Sequence, residues 1–258
     1  MRFNENVKKQ IRRIKITGAL GLILSLSLTV SAVSQEKAEF ELSGFSSVGI
    51  GELGRRIDHA AWGGSFYVGL RLRRTPFSLG ARLAMAGYDS EHNVDLAGYS
   101  DSVPADVKYG YNLLQTHLVV RFQSWQSLFA PYLEAFVGFN YFFTQMYTGK
   151  GSSVPIIAGD AIILIGGNGS QTLMSSVTPS IGLGGGLKVR LASISRGKHA
   201  DSSLFSLLLN LQGRYVYGGT ARYLKPGGIT LDGKRLIYDP QRSRSDMFTF
   251  SLGLSVRL

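Results

Sequence analysis

Phe248-Thr-Phe-Ser-Leu-Gly-Leu-Ser-Val-Arg-Leu258 ends the chain in strict alternation. Phe248, Phe250, Leu252, Leu254, Val256 and Leu258 fall on one side, and Thr249, Ser251, Gly253, Ser255 and Arg257 on the other. Successive side chains of a β-strand point to opposite faces, so this segment reads as a strand with one wholly apolar face. Working outward, the same period recurs in Ala60–Arg73. There Ala60, Trp62, Gly64, Phe66, Val68, Leu70 and Leu72 alternate with Ala61, Gly63, Ser65, Tyr67, Gly69, Arg71 and Arg73. Eight such segments follow one another, at roughly 39–50, 59–73, 77–88, 108–122, 129–144, 173–191, 203–217 and 246–258.

The placement of charge says what each face meets. On the more apolar faces the charged residues are Lys108 and Asp246, each the first residue of its segment, where a charge still reaches water. The opposite faces carry Glu41, Arg71, Arg73, Arg82, Arg121, Glu134, Lys188, Arg190, Arg214 and Arg257. A soluble barrel or sandwich also alternates, with its charge on the outer face, so two further features are needed to orient the strands. The connections tend to run short and long in turn. Arg74–Pro76, Gln123–Leu128 and Ala192–Ser202 are short; Asp89–Val107, Gln145–Thr172 and Gly218–Ser245 are long, and Gly51–Asp58 is of intermediate length. Aromatic residues of the apolar face gather at the strand ends. Phe77, Phe122, Phe129 and Phe205 stand by the short connections, and Trp62, Tyr141, Phe143, Tyr215, Tyr217 and Phe248 by the long ones. Short turns, long outer loops and two aromatic girdles predict an all-β fold: an eight-stranded antiparallel up-and-down transmembrane β-barrel.

The N-terminus points the same way. Arg2, Lys8, Lys9, Arg12, Arg13 and Lys15 precede an apolar run from Thr17 to Val30, and small residues Ser31-Ala-Val-Ser34 follow. This is the layout of a secretory signal peptide, predicted at 1–34, with the barrel domain at 35–258. Fourteen apolar residues fall short of the ~20 of a spanning helix. The leader holds +5 of the formal +11, so the rest carries +6 over more than two hundred residues. No basic helix with interleaved aromatics appears, which argues against nucleic-acid binding. The absence of Cys rules out disulfides and thiolate metal sites, and four His leave little for a metal centre. No cofactor and no metal ligand set is predicted.

Phe129-Ala-Pro-Tyr-Leu-Glu-Ala-Phe-Val-Gly-Phe-Asn-Tyr141 resembles the Pro-Tyr-apolar-x-Gly-x-Gly-Tyr strand of the small outer-membrane β-barrel family, the OmpA/OmpX-like group. Met247–Leu258 is similar to that family's C-terminal assembly signal, with Leu258 where Phe is most often seen. The resemblance implies an outer-membrane location with both termini on the periplasmic side. It also implies recognition by barrel-assembly machinery, and no peptidoglycan-binding domain is expected after the barrel.

An eight-stranded barrel is just wide enough for side chains to fill its lumen. Tyr67, Tyr132, Phe136 and Phe142 are expected to oppose Gly182, Gly184 and Gly186 inside it. Setting Phe122 against Phe129 across the fourth connection pairs His117 with Glu134, expected as a structural ion pair. Arg71, Arg73, Arg121, Lys188, Arg190 and Arg257 are expected to solvate the periplasmic rim. Two apolar runs in the third long loop, Val154–Ala158 and Ala161–Ile165, are expected to extend strands or lid the mouth. The stretch Ile229–Tyr238 reads as a hairpin turning at Asp232-Gly233. Its arms are too short to span, so eight strands are preferred to ten. The second long loop carries −5 and the fourth +4. Arg222, Lys234, Arg235 and Arg242 of the fourth are candidate contacts for lipopolysaccharide. The expectation is a monomeric integral outer-membrane protein with a structural, surface-interaction or narrow-conduit role, surrounded by outer-membrane lipid, and without catalysis. The alternatives are a lipid-A-modifying barrel enzyme, whose His-x-Ser motif would need Ser where this chain has Val119, and a soluble secreted ligand-binding barrel.

Overall fold

The computed structural model describes residues 38–57, 59–73, 75–92, 107–124, 127–148, 154–158, 161–165, 170–195, 203–232 and 235–258. The predicted signal peptide, 1–34, lies outside them. Among the described residues there are twelve strands and one short helix: β1 (Ala38–Gly49), α1 (Glu52–Arg56), β2 (Ala61–Arg71), β3 (Phe77–His92), β4 (Val107–Gln123), β5 (Phe129–Thr148), β6 (Val154–Ala158), β7 (Ala161–Ile165), β8 (Ser170–Ser195), β9 (Ser203–Gly218), β10 (Thr220–Asp232), β11 (Arg235–Arg244) and β12 (Met247–Arg257). Eight of them close into an antiparallel barrel in the order β1-β12-β9-β8-β5-β4-β3-β2. The seam is the β1–β12 ladder, from Glu39 opposite Arg257 to Gly49 opposite Met247. Closure leaves no barrel strand with an unpaired edge, the condition for crossing a bilayer with strands. Each barrel strand matches one of the eight alternating segments.

The apolar faces point outward. Leu42, Trp62, Leu118, Leu133, Val177 and Leu183 are all more than 60% exposed, whereas Arg82, Arg121, Glu134, Lys188 and Arg214 are buried. This is the reverse of a water-soluble barrel. The soluble alternative would leave a continuous apolar belt in water while desolvating charge, and the fold contradicts it. Aromatic rings gather at both ends of the belt. Phe77 and Phe122 pack at 5.3 Å between centroids beside the short turns, and Tyr141 stacks on Phe143 at 5.2 Å toward the long loops.

The β4–β5 register differs from the expected one. Residues summing to 255 face each other, so Arg121 opposes Glu134 and His117 opposes Gly138. A tight hairpin from Phe122 to Phe129 ignores the stagger that strand tilt imposes on a closed barrel. The first residues of β5, Phe129–Pro131, pair with β8 alone, and the ladder to β4 begins at Tyr132, opposite Gln123. A stretch with one neighbour tolerates Pro131, which has no N–H to donate.

The long loops hold more structure than their sequence suggested. The first contains α1, reached through Gly51 in the left-handed region at φ 63°. The apolar runs of the third do not extend β5 and β8. They pair with each other as β6 and β7 and join a second sheet, of order β10-β11-β6-β7. In the fourth loop β10 and β11 pair down to Asp232 opposite Arg235, as the hairpin reading expected. Their arms are 13 and 10 residues, long enough to span, yet they stay out of the barrel. Eight strands is therefore right for another reason. Where its side chains are described, the hairpin carries Arg222 and Arg242 on its exposed face and buries Ala221, Tyr223 and Leu224, so that stretch offers lipid no apolar face.

Candidate functional site

Inward-facing residues of β1, β3, β4, β5, β8, β9 and β12 build one charged cluster in the half of the lumen nearer the short turns. Arg121 is its centre. Its Nη1 donates to Glu39 at 2.9 Å and to Glu41 at 3.4 Å, and its Nε and Nη2 donate to Glu134 at 3.1 and 2.9 Å. Its guanidinium lies between two rings, 4.1 Å from the Tyr67 centroid and 4.4 Å from that of Tyr132. Arg82 pairs with Glu41 at 2.9 Å and Arg214 with Glu134 at 2.9 Å. Glu39 also accepts from Arg257 at 2.7 Å and pairs with Lys188, while Gln123 bridges to both cations. Buried charges persist when paired, and each member of this interlocked set, drawn from seven strands, has a partner of opposite charge, while Arg82 Nε and Arg214 Nη2 are left without a hydrogen bond.

The aromatic filling meets the expected glycines in part: Tyr132 faces Gly186 and Phe136 faces Gly182, whereas Gly184 lies against Arg214 and Glu134, Tyr67 against Gly69 and Gly80, and Phe142 against Tyr223. A Cβ on Gly186 would stand 2.6 Å from the Tyr132 ring, and one on Gly182 would run into the Phe136 ring and the Tyr215 carbonyl. Beyond this layer toward the long loops the interior turns apolar. Tyr88, Tyr109, Tyr111, Leu113, Phe142 and Met247 form a core with Leu53 of α1 and with Ala221, Tyr223 and Leu224 of β10. Tyr223 packs its ring 6.0 Å from Phe142 and bonds Ser243 at 2.8 Å, and the Tyr88 hydroxyl donates to the Leu224 carbonyl. The helix and hairpin thus stopper the mouth from inside. Glu52 accepts from the Arg244 amide, and Arg56 donates to Gln241, holding α1 against β11.

Several predicted sites change role. His117 and Glu134 both lie in the lumen, but Glu134 binds Arg121 and Arg214, while His117 Nε2 meets Ser180 Oγ at 2.9 Å. The reason is the four-residue difference in register. A hydrogen-bonded His–Ser pair is the chemistry of an activated nucleophile. Here both side chains are under 5% exposed inside a filled lumen, and the His117 ring packs 4.8 Å from Phe136. Arg121, Lys188 and Arg257, expected to solvate the rim, belong to the buried cluster, because strand tilt carries them inside the wall. Arg71, Arg73 and Arg190 do stay at the short-turn end, where Arg71 Nε donates to the Thr75 carbonyl. Glu39, which sequence reasoning did not single out, is shared by three cations. The available signal was an inner-face cation excess that had to find acids somewhere.

Of the four candidate lipopolysaccharide contacts, Arg222 and Arg242 are exposed and stand directly opposite each other across the β10–β11 ladder. Arg235 is placed in β11, opposite Asp232, and Lys234 lies outside the described residues. Most of the acidic second loop, 93–106, lies outside them too. Among the described residues no group of three or more His, Cys, Asp or Glu is placed to hold a metal ion.

No protein-family model matches the chain, and no curated protein matches it. Among solved structures it is similar to Neisserial surface protein A, at 11% identity and a TM-score of 0.39, over 86% of this chain and 96% of that one. It is also similar to the N-terminal β-barrel domain of Pseudomonas aeruginosa OprF, at 14% and 0.33, over 87% and 100%. A third is a major outer membrane protein from Thermus thermophilus, at 11% and 0.40, over 86% and 99%.

Proposed function

We propose that this chain is an integral outer-membrane barrel protein of a Gram-negative-type envelope that works through its exposed loops, without catalysis. The observation that supports this most directly is the inverted barrel: an apolar belt outside, and inside a charged cluster below an aromatic stopper. A narrow-conduit role is disfavoured by that double filling. The chain is exported by its leader, assembled by barrel-assembly machinery through the β12 strand, and embedded in outer-membrane lipid as a monomer with both termini on the periplasmic side. Fractionation of cells tests the location. The protein is expected in the outer membrane with heat-modifiable migration on gels, and recovery in the soluble fraction would overturn the reading.

The outer hairpin adds a partner to this reading. Like charges directly opposite on a ladder repel, and an anion bridging Arg222 and Arg242 relieves that repulsion with charge-assisted hydrogen bonds. Phosphate groups of outer-leaflet lipopolysaccharide have the charge and the acceptor oxygens for that role. Replacing Arg222 and Arg242 together with Gln is expected to weaken binding of purified protein to phosphorylated lipopolysaccharide, most at low salt. Unchanged binding would leave the hairpin face as ordinary solvated surface.

A further inference from the structure

A recess opens on the outer wall at the long-loop end of β2, β3 and β4. Trp62, Gly87, Asp89, Ser90 and Asn112 line it, and its volume is about 740 Å³, within the roughly 300–1,000 Å³ of small-molecule sites. The ladders create it. Trp62 stands opposite Gly87, and Gly87 opposite Asn112, so a large ring and a primary amide flank a position without a side chain. A Cβ on Gly87 would meet only Asn112 Oδ1 and the Tyr111 carbonyl, both at 3.8 Å, which is ordinary contact. Packing within the chain therefore does not demand glycine here, whereas a Cβ on the neighbouring Gly63 would strike the Met85 carbonyl. Between Gly87 and Asp89 the β3–β4 register shifts, an irregularity of the kind that re-aims side chains beside binding sites. Asp89 Oδ1 accepts from the Ser90 amide at 2.6 Å, and Asn112 Nδ2 donates to the Gly110 carbonyl at 3.2 Å, which leaves Asn112 Oδ1 toward Gly87.

The lining selects the class of ligand. Among the described residues it holds no Lys or Arg, and the Asp89 carboxylate repels a phosphate. An acyl chain would desolvate Asp89, Ser90 and Asn112 without replacing their hydrogen bonds to water. A quaternary ammonium takes a cage of several rings. Here Trp62 offers the one ring, because Tyr88 turns inward onto Tyr111, at 5.8 Å between centroids, and bonds the Leu224 carbonyl. A neutral sugar ring suits all of these groups. Its C–H face lies on the Trp62 indole, and its hydroxyls donate to Asp89 and Asn112 and exchange bonds with Ser90.

We propose that this recess binds a pyranose of an outer-leaflet glycolipid. The source follows from the side on which the recess opens. Trp62, at 70% exposure, shares the outward face with Leu83, Met85 and Leu118, so the site adjoins lipid, and Trp62 belongs to the aromatic girdle that sits at the headgroup level. A sugar carried by a membrane lipid is already held there, whereas a free glycan has to enter the headgroup layer first. The inference rests on the outer-membrane reading above. It uses another surface and another chemistry than the Arg222–Arg242 pair: neutral hydroxyls rather than phosphate, and hence binding that added salt leaves in place.

The test uses the full mature chain, folded in a sugar-free detergent, with Trp125→Phe leaving Trp62 as its one tryptophan. Titration with dephosphorylated lipopolysaccharide in mixed micelles is expected to shift the Trp62 emission saturably, equally at low and high salt and equally in the Arg222→Gln/Arg242→Gln background. The delipidated oligosaccharide of the same lipopolysaccharide is expected to give that shift only at higher concentration, and phospholipid micelles none. Gly87→Leu fills the recess and Asn112→Leu removes its acceptor; each is expected to weaken binding about tenfold or more. Gly87 has room for the added side chain, and heat-modifiable migration checks that both variants still fold. Binding by both folded variants as tight as the parent's, or the same shift with phospholipid alone, overturns the proposal. Tighter binding of the free oligosaccharide overturns the membrane source. A chain that fractionates as soluble protein removes the outer-membrane reading itself, an outcome read separately from any of these.

Discussion

Arg121 shows how much one lumen residue is asked to do. It is fully buried, bonded to three carboxylates and held between two tyrosine rings. Removing one partner of a buried pair leaves the others uncompensated, a loss of about 3–5 kcal/mol. Arg121→Met keeps much of the volume and deletes the charge. It is expected to lower the unfolding free energy in lipid vesicles by that order, read from the folded band in a urea series. Adding Glu134→Gln is expected to recover only part of the loss, because Glu39 and Glu41 still lack their shared donor and Arg214 loses its acid. A single variant as stable as the parent would mean that the cluster contributes little to the barrel.

At the scale of elements, the β4–β5 ladder decides which inner residues meet. The chain has no native Cys, so an engineered pair is unambiguous. Leu118 and Val137 face each other in the observed register, within the Cα separation that a disulfide spans. Leu118 and Leu133 face each other in the register that a tight hairpin at Phe122 and Phe129 implies, and here they lie four residues apart along the ladder. Oxidation of folded protein is expected to form an internal disulfide in the L118C/V137C variant and to leave both thiols of L118C/L133C free. The opposite outcome would falsify the register, and with it the separation of His117 from Glu134.

For the whole molecule, the lumen is filled at two levels by different chemistry. The stopper of α1 and the β10–β11 hairpin is apolar and comes from loops; the charged cluster below comes from the wall itself. The two are independent, so removing the first does not open the second. Replacing residues 221–243 by a short Gly/Ser link is expected to give a barrel that still inserts into planar bilayers but passes no steady ion current. Combining that deletion with Arg121→Ala and Glu134→Ala is expected to admit water and raise conductance. Steady current through the deletion alone would show that the wall cluster does not close the lumen.

The sequence by itself determined the architecture. Alternation needs no long-range information, because side chains of a strand point to opposite faces whatever the partner. Eight alternating segments, with charge on one face and aromatics at the ends of the other, left an inverted closed barrel as the consistent answer. The Tyr132–Gly186 and Phe136–Gly182 matches were legible for the same reason: large and small residues on one inner surface must meet. Tertiary structure alone decided the pairings. Register in a closed barrel depends on tilt and stagger of the whole wall, so a local guess at one turn put His117 against Glu134 and left Arg121 at the rim. The roles of the loops were likewise out of reach. The β10–β11 hairpin has arms long enough to span, and only the buried contacts of Tyr223 and Leu224 with the mouth show that it closes the barrel rather than joining it.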